Sequence, residues 1–395
     1  MPNQALKTPA RRRPSQRRDF TAAEFFAGIG LVRLALERHG WRVLFANDID
    51  PDKAEMYRHN WPANDHLIVD DIHTLKPKDV PDCHLFTASF PCNDLSIAGK
   101  WDGLDGKESS AFWGFVELIR KMGDRRPPLL LIENVIGFLM SKGGADFQAA
   151  LLALNKRGYV VDAFIVNAKH WVPQSRARMF IVARLDGDGE RSPFALESDV
   201  RPRALADFIN THQNIKWDVR ALPRLPRSKT TLSDIVEDLP DGDPHWWSSE
   251  RAAYFMRQLS PKHEVQAKLM MAGTVPTYAT AFRRVRNDKS MAELRTDGIA
   301  GCLRTPRGGS GRQILFKAGL RRYQVRLLTA RECARLQGVP DDYVIDVPLN
   351  QALFGFGDAV CVDAVAWIVR HYLTPLAASM LPDPEELPFE RGVGR

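Results

Sequence analysis

A cysteine and a glutamate stand where apolar runs of this sequence end, two arginines stand where another run begins, and these residue types can do chemistry there. Cys92 follows the apolar run CHLFTASF, and a thiol at a strand-to-loop junction is a candidate nucleophile. Glu133 ends the run LLLIE, where burial tends to raise a carboxyl pKa and lets the group act as an acid near pH 7. Arg176 and Arg178 are two residues apart, so they share one face of a strand and can hold an oxygen or tune a nearby thiol.

Each of these residues also has an ordinary structural interpretation. Most lone cysteines are inert core residues, so Cys92 alone does not establish a nucleophile. Glu133 taken singly can be a solvated loop glutamate, and the two arginines can form surface ion pairs. A catalytic role for these residues therefore requires further features of the sequence that indicate the same reaction.

Glycines and carboxylates at three successive run ends indicate a cofactor site. The segment FFAGIG at 25–30 places two glycines between a strand and a helix, which permits a tight turn and a close backbone approach. Asp48 and Asp50 end the next run about 20 residues later, where a carboxylate suits a ribose diol. Asp70 and Asp71 end the third run, where they can read an adenine amino group. The third glycine of a dinucleotide fingerprint is absent, so the pattern favours an adenosine-containing cofactor without a phosphate cradle; an ordinary strand–helix turn is the alternative.

Apolar runs and helical patterns alternate from residue 20 to 186, which is typical of βαβ units and a parallel sheet. Residues 1–19 form a basic arm that we expect to be flexible. Residues 187–300 break the alternation and predict a smaller, irregular domain. Helical patterns return within 301–375, where the last helical region is expected to pack onto the first part of the chain, and 376–395 form a tail.

The composition excludes several classes of protein. The chain has 395 residues, of which 44% are hydrophobic and 26% charged, as in globular proteins and unlike disordered or fibrous ones. It has no uninterrupted apolar stretch of about 18 residues and no apolar N-terminal signal, so we expect an intracellular protein without a membrane span. The five cysteines form no C-x-x-C pair, so neither a disulfide framework nor a metal site is expected.

Positive charge is concentrated in two places, although the net charge is only +7. The first 20 residues carry six basic residues and one acidic residue, and residues 280–326 carry twelve basic and three acidic residues. In the second segment Gly, Ser and Thr are interleaved with Arg, which lets the chain approach phosphates closely. These clusters favour a polyanionic partner such as nucleic acid, with solubility as the plain alternative for the arm.

Six short motifs occur in one order along the chain. They are FAGIG at 26–30, PC at 91–92, ENV at 133–135, QSRAR at 174–178, RLLTARECARLQG at 326–338 and GDAV at 357–360. This order resembles that of the DNA (cytosine-5) methyltransferases of bacterial modification systems, over roughly 20–186 and 300–373. The resemblance implies a doubly wound, mostly parallel α/β catalytic domain of the Rossmann-like methyltransferase type, with a small target-recognition domain inserted near 187–300.

The resemblance assigns a role to each of the four reactive residues. Cys92 would attack C6 of cytosine, which turns the ring into an enamine that accepts a methyl group at C5. Glu133 would hold ring N3 and supply its proton, Arg178 would grip the base O2, and Arg176 would organise the thiol and the carboxylate. Because the thiol must reach C6, the cytosine has to leave the duplex stack, and the segment 93–112 would close over it.

The resemblance also implies that the cofactor is S-adenosyl-L-methionine. The residues expected to line its site are Phe26, Gly28, Gly30, Asp48, Ile49, Asp71, Ile72, Pro91 and Asp358. Asp358 departs from the family pattern, in which Asn is commonest, and an aspartate repels the cofactor carboxylate unless the cofactor ammonium is its partner. Glu24 is a second departure, because the family usually has Asp at this position.

The implied partner is double-stranded DNA, bound by a monomer in the bacterial cytoplasm near the nucleoid, with a cognate restriction endonuclease as a functional partner. The residues expected to contact DNA are Ser96, Arg283, Arg284, Arg286, Arg304, Arg307 and Arg312. Two other functions stay open: an RNA cytosine-5 methyltransferase of the same fold, and a catalytically idle member that binds DNA as a regulatory module. The long Arg- and Trp-rich segment 190–300 favours duplex DNA over RNA, and intact Cys92, Glu133 and Arg178 favour an enzyme.

Overall fold

A computed structural model describes residues 19–63, 66–91, 104, 110–186, 192–286, 289–306 and 311–380. The candidate nucleophile Cys92 lies outside these described residues, as do Ser96, Arg307 and nearly all of the basic arm. Arg286 is described only as part of a strand. The roles proposed for these residues therefore stay predictions.

A seven-stranded sheet forms the centre of the larger part of the molecule. Its strands are β1 (Thr21–Phe25), β2 (Arg42–Asp48), β3 (Leu67–Val69), β4 (Leu85–Ala88), β5 (Leu129–Val135), β6 (Tyr159–Asn167) and β7 (Ala177–Leu185). The strand order is β3-β2-β1-β4-β5-β7-β6, and β7 runs antiparallel to both of its neighbours while the pairs from β3 to β5 are parallel. The predicted doubly wound, mostly parallel α/β fold is confirmed.

Helices cover both faces of this sheet because its central strands are apolar on both sides. The helices of the first half are α1 (Leu31–Glu37), α2 (Pro51–Asn60), α3 (Ala111–Met122), α4 (Gly137–Met140) and α5 (Ala145–Lys156). Phe112 and Phe115 of α3 and Phe147 of α5 pack in the core on one face of the sheet. Leu31 and Leu36 of α1 pack in the core on the other face.

The C-terminal helices return to the first part of the chain, as expected from the sequence. They are α11 (Leu349–Asp358), α12 (Val362–Ile368) and α13 (Thr374–Met380), with one π-helical turn at Val369–Leu373. Arg38 lies 2.9 Å from the carboxylate of Asp363, and the indole of Trp41 donates to the hydroxyl of Thr374 at 2.8 Å. These contacts join the region of α1 to α12 and α13.

The segment Leu349–Met380 is long and apolar enough to cross a membrane by length and composition alone. In this structure 72% of its most apolar window is buried inside the protein. Phe356, Val365 and Leu373 lie in the same core cluster as the residues of α1. The hydropathy of this segment is therefore accounted for by its position as a core element.

A second sheet of four antiparallel strands has its own core. It is formed by β8 (Thr277–Arg286), β9 (Lys289–Arg295), β10 (Ile314–Gly319) and β11 (Arg322–Leu327), in the order β11-β10-β8-β9. The helices α8 (Ser249–Gln258) and α9 (Pro261–Met271) precede it, and Phe255 of α8 packs with Phe316 and Val325. We call these four strands the second sheet.

The second sheet places the division of the chain differently from the expected bounds of 187–300. Strands β10 and β11 belong to it, although residues after 300 were assigned to the returning catalytic domain. At the other end, α6 (Arg203–Thr211) packs on the large domain, since Phe208 lies 5.1 Å from Phe147 between ring centroids. Strand pairing, which joins residues far apart in sequence, is the reason that local patterns did not show these limits.

The remaining short helices connect the two units. They are α7 (Leu232–Ile235) and α10 (Ala330–Leu336). Arg326 at the end of β11 and Glu332 of α10 form a fully buried ion pair, in which two guanidinium nitrogens lie 2.5 and 2.6 Å from the two carboxylate oxygens. The side chain of Glu332 also accepts from the backbone N–H of Glu237, so the segment before α8 is tied to the same pair. This pair holds the second sheet against the large domain.

Candidate active site

The ends of β4 and β5 bring the PC and ENV motifs to one edge of the sheet. Ala88 and Ile132 are paired in parallel register, so Pro91 and Glu133 leave the same edge. The side chain of Asn134 donates to the backbone oxygen of Phe90 at 3.1 Å. The asparagine of the ENV motif thus holds the chain two residues before Cys92.

Glu133 and Arg178 form an ion pair at this edge. The Nε atom of Arg178 lies 3.1 Å from a carboxylate oxygen of Glu133, which is 8% exposed. The antiparallel register pairs Val135 with Arg178, so Arg178 and Glu133 are diagonal neighbours across β5 and β7. Burial raises the pKa of Glu133 above its usual value, while the charges of Arg178 and Arg176 and a hydrogen bond with Ser89 oppose this effect. A raised pKa keeps part of this carboxyl protonated at higher pH than usual.

Arg176 is fixed by backbone oxygens rather than by a carboxylate. Arg176 is 2% exposed, and its guanidinium donates to the backbone oxygens of Leu303 at 2.9 Å, Gly357 at 3.1 Å and Ala359 at 2.5 Å. These oxygens belong to the segment after the second sheet's β9 and to the end of α11. Arg176 therefore joins three parts of the chain behind the Glu133–Arg178 pair.

Cys302 is a second thiol in this region that the sequence patterns did not indicate. Its Sγ atom lies 3.2 Å from Arg176 and 3.9 Å from Arg178. Burial alone would raise the pKa of Cys302, but the charges of Arg176 and Arg178 outweigh it and lower the pKa to about 7. The two arginines thus lower the pKa of Cys302, and their effect on Cys92, which lies outside the described residues, stays a prediction.

The glycine turn after β1 has two different surfaces. Gly28 has φ of 56°, and a Cβ added there would meet a single neighbour within 4 Å, the Cδ atom of Lys53 at 4.0 Å. Gly30 has φ of 80°, and a Cβ there would lie 2.4 Å from the ring of Trp61. Gly30 therefore permits close packing against the end of α2, while Gly28 leaves open space above the turn. This open surface fits the expected cofactor, and Phe26, with φ of 55°, precedes it.

The carboxylate of Asp48 shapes the same turn. One of its oxygens accepts from the backbone N–H of Gly28 at 2.7 Å, and the other accepts from Asp50 at 2.9 Å. Burial raises the pKa of Asp48, and Lys53 together with these backbone donors acts against this shift. Asp48 thus holds the glycine turn in place, in addition to the ribose contact expected of it.

The other expected cofactor residues differ in their exposure. Ile49 is 62% exposed at the end of β2, which leaves an apolar surface for a ring to cover. Asp71 is partly exposed, and one of its oxygens accepts from the backbone of His73. Pro91 is partly exposed, whereas Ile72 is buried in the core beside Gly114. Ile72 is therefore a core residue next to the site and not part of its exposed surface.

Asp358 is paired with a cation that the sequence analysis did not single out. The Nζ atom of Lys53 lies 2.8 Å from the carboxylate of Asp358 and 3.8 Å from that of Asp50. Lys53 is on α2 and Asp358 ends α11, so the pair joins two elements on the glycine-turn side of the sheet. The aspartate that departs from the family pattern is thus neutralised by a lysine of the same chain.

The arginines expected to contact DNA have different environments. Arg283 donates to the side chain of Gln258 at 3.1 Å and lies over the ring of Trp247, so it packs β8 against α8. Arg284 on the opposite face is exposed, with Glu293 at 3.7 Å. Arg304 is exposed, and Arg312 donates to the side chain of Asn350. Arg284 and Arg304 are therefore better placed to meet a polyanion than Arg283.

Within the described residues, no group of three or more His, Cys, Asp or Glu side chains is arranged to hold a metal ion. The features at the strand edge are instead a glycine turn, a buried acid with its arginine, and the backbone leading to Cys92.

Comparison with known proteins agrees with this arrangement. The family described as C-5 cytosine-specific DNA methylase matches residues 20–373, and the chain belongs to this family. It is accordingly a DNA cytosine-5 methyltransferase. Among its relatives, the Type II methyltransferase M.HhaI of Haemophilus parahaemolyticus is 25% identical over 348 residues, which are 87% of this chain and 91% of that protein. The Type II methyltransferase M.MthTI of Methanothermobacter thermautotrophicus is 28% identical over 331 residues, 82% of this chain and 87% of that protein.

The fold has known counterparts as well. The crystal structure of the S. pombe Dnmt2 methyltransferase superposes with a TM-score of 0.60 at 21% identity, over 91% of this chain and 99% of that one. A putative DNA modification methyltransferase encoded within a prophage of E. coli gives a TM-score of 0.55 at 17% identity, with the same coverage of this chain. These likenesses show the fold.

Proposed function

We propose that this enzyme methylates a cytosine flipped out of duplex DNA, with Cys92 as the nucleophile and with Glu133 and Arg178 holding the base. The observation that carries this proposal is the ion pair of Glu133 and Arg178 at the edge where the chain leads to Cys92. A buried acid with a raised pKa beside a guanidinium matches a ring with one nitrogen to protonate and one carbonyl oxygen to hold.

The chain's residues act in a fixed order. The thiolate of Cys92 adds to C6, and the carboxyl of Glu133 donates to N3 as negative charge builds up in the ring. Arg178 donates to O2 and, through its ion pair, keeps the carboxyl oriented. C5 would then take the methyl group from a sulfonium donor, whose sulfur–methyl bond breaks and leaves a neutral thioether. Loss of the C5 proton to a base re-forms the C5–C6 double bond and expels Cys92 as a thiolate. Arg176 positions the segments around this centre and does not touch the base in this scheme.

S-adenosyl-L-methionine is the proposed cofactor, and it supplies an electrophilic methyl group on a sulfonium. The open surface above Gly28 would receive it. Asp48 and Asp71 would hold the polar groups of the nucleoside, and the exposed Ile49 would cover its ring. Pro91 would border the site beside the nucleophile. The absence of a third glycine suits a nucleoside that has no phosphate to cradle.

We propose that the second sheet and its helices recognise the target sequence. Its separate core and its attachment to the large domain leave a distinct basic unit beside the catalytic edge. Arg304 stands between β9 and β10, two residues from Cys302 and close to the end of α11, where a Cβ on Gly357 would lie 2.7 Å from the backbone of Arg304. The loop that carries Arg304 is therefore next to the catalytic centre, where a flipped base and its neighbours lie.

The setting of the enzyme follows from this function. We propose that it acts as a monomer on double-stranded DNA in the bacterial cytoplasm, near the nucleoid. A cognate restriction endonuclease would cleave the same sequence when it is unmethylated, as the names of the Type II relatives suggest.

Transfer of a labelled methyl group tests the proposed function. The protein is incubated with labelled S-adenosyl-L-methionine and with duplex DNA, single-stranded DNA or tRNA. We expect label in duplex DNA, and bisulfite sequencing of that DNA to give one methylated context. Label in tRNA alone would favour the RNA enzyme, and no transfer to any substrate together with specific DNA binding would favour the regulatory module.

A further inference from the structure

The ion pair between Lys53 and Asp358 is not needed to hold α2 against α11. The two helices are already joined by Gln351, whose amide donates to the backbone oxygen of Asp52 at 2.5 Å and to the side chain of Glu55 at 2.9 Å. The helices also pack closely, since a Cβ on Gly355 would lie 2.9 Å from the side chain of Met56. The pair is therefore available for another task.

The pair lies beside the glycine turn, and one of its charges acts on the catalytic acid. Lys53 approaches the open surface above Gly28, and its charge acts on Asp48 beneath that turn. Asp358 is near enough to Glu133 for its charge to oppose the ionisation of that carboxyl. Lys53 thus adjoins the part of the site expected to hold the nucleoside, and its partner Asp358 acts on the part expected to hold the base.

The chemistry of the methyl donor says which of its groups comes to this place. In S-adenosyl-L-methionine the sulfonium carries three substituents: the nucleoside, the methyl group and an amino-acid tail with an ammonium and a carboxylate. When the nucleoside lies at Asp48 and Ile49 and the methyl group faces the base at Glu133, the tail must occupy the remaining direction. The glycine turn, Lys53 and Asp358 line that direction.

We propose that Lys53 and Asp358 form a zwitterion-reading pair, in which Lys53 holds the carboxylate and Asp358 the ammonium of the methyl donor's amino-acid tail. The inference rests on the proposed function and adds Lys53 to the site. Each group of the tail then has a partner of opposite charge, and the repulsion expected between Asp358 and the cofactor carboxylate is removed. The net charge of Lys53 and Asp358 together is zero, as is that of the amino-acid tail, so binding leaves no charge of either without a partner.

Burial and charge agree with this role. The side chain of Lys53 is 18% exposed and that of Asp358 is 47% exposed, so the carboxylate keeps a free side for a ligand. Burial alone would lower the pKa of Lys53, but the carboxylates of Asp358 and Asp48 outweigh it and raise this pKa. The lysine therefore stays charged throughout the neutral range.

Binding of two nucleosides tests the inference without any methyl transfer. S-adenosylhomocysteine carries the amino-acid tail, and 5′-methylthioadenosine has the same nucleoside and sulfur without it. Isothermal titration is performed with the parent protein and with Lys53→Met, Asp358→Asn and the double variant. We expect each single variant to bind S-adenosylhomocysteine roughly tenfold more weakly, as for one lost charge-assisted hydrogen bond, and to bind 5′-methylthioadenosine within about twofold of the parent.

A matched ion pair serves as the control. Arg38 and Asp363 also join two elements far apart in sequence, and each side chain is 33% exposed. Arg38 is at the C-terminal end of α1, whereas the glycine turn precedes the N-terminal end of that helix. Arg38→Met should change the affinity for neither nucleoside. The midpoint of thermal unfolding is measured for every variant, so that a loss of folded protein is not mistaken for a loss of affinity.

Two results would overturn the inference. The first is an equal loss of affinity for both nucleosides in Lys53→Met, which would make the lysine a support of the turn only. The second is unchanged affinity for S-adenosylhomocysteine in all three variants. Failure of the proposed function looks different, because the parent protein would then transfer no methyl group to duplex DNA, whatever the variants do to the affinity for the two nucleosides.

Discussion

Arg178 faces Glu133 across two antiparallel strands, with its Nε atom 3.1 Å from the carboxylate, while Arg176, two residues earlier, donates to three backbone oxygens and to the thiol of Cys302. Two arginines of one motif thus serve different purposes. Arg178 addresses the acid at the strand edge, and Arg176 joins the segments that surround it.

Cys92→Ala should abolish methylation while the protein still folds and binds its cofactor. The thiolate forms the covalent bond to C6, and an alanine cannot replace it. A duplex with 5-fluorocytosine at the target should trap a covalent complex with the parent protein and none with the variant, as read on a denaturing gel. Activity within tenfold of the parent in the alanine variant would rule out this mechanism.

Glu133→Gln should lose most of the rate with little change in DNA affinity, because the proposed proton donation develops in the transition state. General acid–base groups contribute about 10²–10⁴-fold. The pKa of Glu133 is raised, so its protonated form persists to higher pH than usual and is lost as pH rises through that pKa. The single-turnover rate of the parent should therefore fall as pH rises through the pKa of Glu133. The rate of the glutamine variant should lack this fall. A defect confined to DNA binding would contradict the assignment.

Arg176 and Arg178 should fail in different ways when each is replaced by lysine. Lysine lacks the planar fork, so Arg176→Lys leaves buried carbonyl oxygens without donors and should cost about 1–3 kcal/mol of stability for each group left unsatisfied. Arg178→Lys should keep a near-normal unfolding midpoint and lose rate. Urea unfolding and single-turnover kinetics are measured on both variants. Equal stability losses for the two would show that both arginines are structural.

Glu24→Gln should remove a pH dependence of stability. Burial raises the pKa of Glu24 to about 8, and one of its oxygens has no hydrogen-bond partner. The stability that its neutral carboxyl provides is complete below the ordinary pKa of about 4.5 and is lost as pH rises through about 8. Between these values the parent should lose up to about 1.4 kcal/mol per pH unit more than the variant. Urea unfolding from pH 5 to 8.5 measures this, and parallel curves for the two proteins would contradict it.

Alanine substitutions on the second sheet should fall into two sets. Arg283→Ala should mainly reduce stability, because Arg283 packs against Trp247 and Gln258. Arg284→Ala and Arg304→Ala should reduce DNA binding, either equally for all sequences or at one base position by roughly 1–3 kcal/mol. Bisulfite profiles of each variant distinguish these cases. A uniform loss of activity without any broader context in every variant would place recognition outside the second sheet.

The amino-acid sequence by itself determined the alternating strands and helices, the edge at which their ends meet, and the family. The apolar residues of β4 and β5 indicate strands that are buried on both faces. Because the polar residues Glu133 and Asn134 follow such a run, the sequence places them near the end of β5. The glycine turn followed for the same local reason, since Gly28 and Gly30 adopt backbone angles that suit a tight turn.

Tertiary structure alone decided which distant residues meet. The register of β5 against β7 brings Arg178 to Glu133, and a shift by one residue would turn the arginine to the other face. Cys302 reaches Arg176 across 126 positions, and Lys53 reaches Asp358 across 305. Such contacts depend on how whole elements pack, and no local pattern of residues encodes that packing. The limits of the second sheet were missed for the same reason, because its four strands find their partners only in the folded chain.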